Sequence, residues 1–163
     1  MGGHVGNRIL VIDDDEDVIA LLRHHLTDAG YEVVYALSGV EGLAIAVRDV
    51  PDLIISDVRM PEFDGFGLLA ALRANSPTRA MPIVFLTILD DSESLTRAMR
   101  LGVDAYLHKP VQRNALLETV ASKLRLNEYR LSVVEADSVD AREASRDEDE
   151  LLIRDLTFSA QFS

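Results

Sequence analysis

The chain has 163 residues, 48% of them apolar, no cysteine and a formal net charge of −12. That length and apolar share suit one ordinary domain with sequence to spare. The same figures exclude disulfides and thiolate metal sites, fit a reducing cytoplasm, and offer no positive field for direct nucleic-acid binding.

Residues 1–6 carry neither a basic region nor a long apolar core, so they read as a disordered N-terminal segment and not a signal peptide. The longest apolar runs, such as Ile83–Leu86, are too short to cross a bilayer. Arg8–Ile12 is a compact apolar run ending in acids, the form of a buried parallel strand. From Asp17 to Ala29, residues Val18, Leu21, Leu22, Leu26 and Ala29 fall at helical spacing, and Gly30 stops the helix. Glu32–Ala36 predicts a second strand. Gly39–Asp49 predicts a second helix packing Leu43, Ala46 and Val47.

Pro51 breaks the chain before a third strand, Asp52–Ser56, which delivers Asp57 at its carboxyl end. Asp64–Asn75 is the third helix, with Phe66, Leu69, Ala70 and Leu72 available for packing. Pro82–Thr87 is the fourth strand, Asp91–Leu101 the fourth helix, Asp104–Leu107 the fifth strand and Gln112–Leu126 the fifth helix. The last helix turns Leu116, Leu117, Val120 and Leu124 inward.

Alternating strands and helices with short loops imply an α/β fold, a parallel sheet covered on both faces. In such a sheet, chemistry collects beyond the carboxyl ends of the strands. Asp13 and Asp14 follow the first strand, Asp57 the third and Lys109 the fifth, while Thr87 ends the fourth. All five land on one edge. Three carboxylates in one cleft repel each other and raise at least one pKa unless a cation joins them. All-oxygen ligands suit Mg²⁺ or Mn²⁺. Asp57 would then serve as a nucleophile, with Lys109 and the Thr87 hydroxyl placed against a transferred phosphoryl group.

The stretches VIDDDEDV, LIISDVRMPEFDG, PIVFLT and GVDAYLHKP, in that order, resemble the receiver domain of two-component response regulators. The resemblance covers roughly residues 7–126. It implies a flavodoxin-like doubly wound sheet of strand order 2-1-3-4-5. It further implies that Asp57 is the phosphoacceptor, with Mg²⁺ held by Asp14, Asp13, Asp57 and the backbone carbonyl of Arg59. Thr87 and Lys109 would stabilise the phosphoryl group, Tyr106 would follow Thr87 as the switch aromatic, and the Lys109–Pro110 bond would be cis. Implied partners are a sensor histidine kinase or phosphotransfer protein, and a second copy through the face made by the fourth helix, fifth strand and fifth helix.

Three positions depart from the pattern. Ile88 stands where Ala or Gly is usual and would modulate access to Asp57. Val111 replaces a common Phe, and Ala105 replaces an acid common in one branch's dimer face. A rival reading takes Asp13-Asp14-Asp15 as the motif of a haloacid-dehalogenase-like phosphohydrolase. Asp17 stands where that motif has Thr or Val, and the reading leaves Asp57 without a role. His24 and His25 read as helix-surface residues, and His108 has no second ligand at useful spacing.

Half of the net charge falls on residues 127–163, an acidic tail or linker that reads as a helix extension or a disordered segment through Glu150. Beyond it, Leu156, Phe158, Ala160 and Phe162 alternate with polar residues, which predicts a half-buried strand, either the start of a truncated output domain or the terminal strand of a stand-alone regulator packing on itself or on a neighbour.

Overall fold

A computed structural model describes residues 6–88 and 92–161, with side chains described through Ser138 and at Arg142. The expected disorder of residues 1–6 and the expected helix start at Asp91 therefore fall wholly or largely outside the described residues. The elements are β1 (Arg8–Ile12), α1 (Glu16–Asp28), β2 (Glu32–Ala36), α2 (Gly39–Asp49), β3 (Leu53–Asp57), α3 (Gly65–Ala74), β4 (Ile83–Thr87), α4 (Ser92–Arg100), β5 (Ala105–His108) and α5 (Arg113–Gln161). A single 3-10 turn, Ser76–Thr78, lies between α3 and β4 and has no counterpart in the sequence reading. Contacts divide the chain into two units, Met1–Arg125 and Leu126–Ser163.

In the first unit the strands form one sheet in the order β2-β1-β3-β4-β5, every pairing parallel. This is the flavodoxin-like order expected from the sequence. Because side chains alternate across a strand, the central strands feed two cores. Leu10, Ile12, Ile54, Ile83 and Phe85 pack with Ala46 of α2, Leu68, Leu69 and Leu72 of α3 and Ala98 of α4. On the opposite face Ile9, Val11, Leu53, Ile55, Val84 and Leu86 pack with Ile19, Leu22 and Leu26 of α1 and Leu116, Val120 and Leu124 of α5. Both faces being covered explains why β1, β3 and β4 read as unbroken apolar runs.

Local signals set the helix ends. Asp15 caps α1 by accepting the Asp17 amide at 2.9 Å, Ser38 caps α2 through Glu41, and Asp64 caps α3 through Gly67. Gly30 ends α1 at a φ of 95°, a conformation that costs glycine little. Three residues expected to pack do not. Leu21, Val47 and Ala70 are exposed, because the buried stripes centre on neighbouring positions such as Ile19, Ala46 and Leu69.

The amino-terminal side of the sheet is tied by one side chain. Arg73 Nη1 donates to the carbonyls of Arg79 and Met81, and Nη2 donates to Gly102 O and to Asp104 Oδ2 at 2.9 Å. Asp104 Oδ2 also accepts the Ile83 amide at the start of β4. Arg73→Met would keep the stem but strand a partly buried carboxylate and its carbonyl neighbours. We expect a loss of about 2–3 kcal/mol in urea unfolding. A change below about 0.5 kcal/mol, the range of an ordinary surface substitution, would show that the network is incidental.

The second unit departs from the sequence reading at its end. Leu156, Phe158 and Ala160, expected in a strand, lie within helix α5, and Phe162 lies outside the described residues. Alternation places side chains on two faces but supplies no partner for the backbone amides. A helix satisfies those amides internally, and the preceding run rich in Glu, Ala, Leu and Arg favours it.

Candidate functional site

The carboxyl edge of the sheet gathers the residues singled out from the sequence. Asp57 is the last residue of β3, opposite Leu86 of β4, and Thr87 ends β4 opposite His108. Asp13 follows β1 directly, with its amide held by Ala36 O of β2. The Lys109 amide donates to Thr87 O at 2.9 Å, and the Lys109–Pro110 bond is cis. Backbone pairing thus positions each group before any side-chain contact forms.

Asp13 is fully buried, Asp57 is 8% exposed and Thr87 is 1% exposed, whereas Asp14 is exposed. Carboxylate oxygens of Asp13, Asp14 and Asp57 lie within 4.8 Å of one another. The Lys109 ammonium sits 2.8 Å from Asp13 Oδ2 and 3.5 Å from Asp57 Oδ1. Asp13 Oδ1 accepts the Asp15 amide, while Oδ2 makes the ion pair but accepts no aligned hydrogen bond. A cleft lined by Asp13, Asp14, Asp15, Glu16, Asp17, Leu37 and Lys109 opens above this group.

Burial pushes the Asp57 carboxyl up to about 6; repulsion from Asp13 and Asp14 adds to this, and Lys109 opposes it. For Lys109, burial works against the charged form, but attraction to Asp13 and Asp57 outweighs it and raises the pKa above the usual lysine value. Three carboxylates whose oxygens lie within 4.8 Å of one another concentrate negative charge and hard oxygen donors, as an all-oxygen cation site requires. The residues present fit Mg²⁺ or Mn²⁺.

Within the stretch LIISDVRMPEFDG, Met60-Pro61 and Asp64-Gly65 marked the loop that shapes this cleft, but not the contact that holds it. Gly65 follows the Asp64 cap, and its amide donates to Val58 O at 2.8 Å. A Cβ there would stand 2.7 Å from the Asp57 carbonyl oxygen, so a larger residue would displace the backbone of Asp57 itself. The signal was present in the pair Asp64-Gly65, but not its distance from Asp57. Arg59 is an exposed residue of that loop. Ile88 is 74% exposed, with its side chain in solvent. Tyr106 is half-buried against the core shared by α3 and α4, its ring meeting His108 edge-on and its hydroxyl buried without a partner. His24 is exposed and His25 partly buried.

The family profile described as the response regulator receiver domain matches residues 9–121. This chain is a response regulator receiver domain. The receiver is 38% identical over 138 residues to the response regulator PleD of Caulobacter vibrioides, an alignment covering 85% of this chain and 29% of PleD. It therefore spans under a third of that relative's length. Among solved structures, the receiver resembles the chemotaxis protein CheY4 of Vibrio cholerae with a TM-score of 0.68 and 36% identity, covering 71% of this chain and 96% of that one. A CheY-like receiver domain protein of Methanospirillum hungatei gives a TM-score of 0.72 at 31% identity, covering 76% and 98%. Receivers of this family are regulatory parts of two-component systems, and nothing in these relationships points to a phosphohydrolase of the haloacid-dehalogenase type. Among the described residues no helix is long and apolar enough to cross a membrane.

Proposed function

We propose that this receiver is a phosphorylation-activated switch in which Asp57 accepts a phosphoryl group from a histidine kinase or phosphotransfer protein. The observation that carries this reading is the placement of Asp57. It is a nearly buried carboxylate at a strand end, beside two further carboxylates and within 3.5 Å of the Lys109 ammonium. Asp13, Asp14, Asp57 and the carbonyl of Arg59 would hold Mg²⁺ or Mn²⁺. Bound there, the ion neutralises the carboxylates and screens the phosphoryl oxygens.

An ionised Asp57 oxygen attacks the donor's phosphorus while the bond from phosphorus to the donor imidazole breaks, and an acyl phosphate results. Lys109 pairs with the phosphoryl oxygens as their charge arrives, and the Thr87 hydroxyl donates to one of them. The direct test is incubation with acetyl phosphate and Mg²⁺. A gain of one phosphoryl mass, cleaved by hydroxylamine, is expected; no gain would end the proposal.

The readout runs through Thr87 and Tyr106. A phosphoryl group adds about −1.5 to −2 of charge at this edge, drawing Thr87 toward it and freeing space for Tyr106. The buried, unpartnered Tyr106 hydroxyl supports a ring short of a deep minimum, as a two-state side chain requires. The responding surface is the face of α4, β5 and the start of α5, where Leu95 and Met99 are exposed. It would engage partners, a second copy among them, with exposed Ile88, next to Thr87 in the chain, modulating the balance. Beryllofluoride with Mg²⁺ should increase self-association of the wild type in sedimentation velocity and leave Thr87→Ala unresponsive. An identical response from both proteins would remove Thr87 from the pathway.

A further inference from the structure

In the second unit, Leu126, Tyr129, Leu131, Val133 and Val134 are exposed along α5, Leu131 by 53% and Val134 by 64%. So many large apolar residues on a short stretch of solvent-facing helix mark an interaction surface. They fall on two stripes. Asn127, Leu131, Val134 and Ser138 recur at the alternating spacing of a coiled-coil seam. Leu126, Tyr129, Val133 and Ala136 form a second stripe beside it.

Charge separates the two stripes. With Leu131 at position a and Val134 at d, Arg130 and Asp137 take g positions, while Glu135 and Arg142 take the e positions that follow. In a parallel, in-register pair each g residue faces the next e residue of the other helix. Arg130 then meets Glu135, and Asp137 meets Arg142, two pairs of opposite sign. With the other stripe as seam, Leu126 at a and Tyr129 at d, Arg125 at g would face Arg130 at e of the other helix, a pair of like charge. Ser138 is compatible with a seam, since its hydroxyl already donates to Glu135 O at 2.8 Å within its own helix. Asn127 falls at a d position, where a polar residue lowers the stability of the seam.

We propose that residues 127–142 pair with the same segment of a second copy as a parallel, in-register coiled coil. Its seam is Asn127, Leu131, Val134 and Ser138. The pairing uses a surface separate from the switch face and does not depend on phosphorylation. With a short seam containing one Asn and one Ser, the dimer is weak, and local concentration decides its population.

The test is sedimentation equilibrium of the 163-residue chain without phosphodonor or beryllofluoride, from micromolar to near-millimolar concentration. A monomer–dimer equilibrium is expected. Glu135→Arg and Arg130→Glu should each weaken it by about tenfold or more, with helicity unchanged by circular dichroism. An equimolar mixture of the two variants should recover association, because each helix then offers the other opposite charges. Ser138→Cys should oxidise to an interchain disulfide while Ser132→Cys, on the outward side, should not; the absence of native cysteine makes this readout clean. A monomer throughout, a dimer indifferent to both reversals, no recovery on mixing, or equal cross-linking at both positions would each overturn the proposal.

Discussion

Asp57→Asn should be inert to acetyl phosphate and, in chelator, more stable than the wild type. The first effect follows from the loss of the nucleophilic oxygen, since an amide does not form an acyl phosphate. Residual labelling equal to wild type would move the phosphoacceptor elsewhere. The second effect follows from the carboxyl's folded pKa of about 6 against an ordinary aspartate value of 3.8. A carboxyl whose folded pKa is raised binds its proton more tightly in the folded state, so ionising it costs folding free energy.

That cost is absent below the unfolded pKa, grows as pH rises between about 4 and 6, and is complete above the folded value. A shift of this size corresponds to up to about 3 kcal/mol. Urea unfolding in chelator should therefore show Asp57→Asn gaining most of that amount at pH 8 and little at pH 4. Saturating Mg²⁺ should narrow the difference by stabilising the wild type. Equal gains at both pH values would mean that charge burial is not the cause.

Asp14→Ala separates metal binding from folding. Asp14 is exposed, yet its carboxylate completes the cluster with Asp13 and Asp57. Its removal should weaken Mg²⁺ affinity by about tenfold or more, the scale of about 1.4 kcal/mol in binding, and slow phosphorylation accordingly. Stability without metal should hold or rise, because Asp14 is one of the charges that repel Asp57. Calorimetric titration with Mg²⁺ and a thermal melt in chelator read the two effects independently. Marked destabilisation in chelator would show that Asp14 supports the fold and not the ion.

Much of this was legible before any coordinates. The apolar runs at β1, β3 and β4 announce strands covered on both faces, and the residues that follow them fall on one sheet edge whatever the details of packing. Most element ends shifted by a residue or so, as at β5, where pairing of Thr87 with His108 carries the strand on to His108, but α5, expected to end at Leu126, runs on to Gln161. Within helices the period was correct but the centre of the buried stripe was not, which is why Leu21 and Val47 emerged in solvent. The terminal alternation misled because period two describes side-chain placement alone. A strand also needs a neighbour, and where none pairs with it the backbone closes its hydrogen bonds within a helix.

Sequence alone determined the class of fold, the order of reactive residues along one edge and the family, because each depends on local pattern and chain order. Tertiary structure decided quantities that depend on what lies across a gap. Lys109 bridges Asp13 and Asp57, although 52 and more residues separate it from either. The raised pKa of Asp57 comes first from burial beneath neighbouring elements. The need for glycine at position 65 comes from the carbonyl of Asp57 pressed against it. Distance and desolvation set these effects, and neither can be read from spacing along a chain.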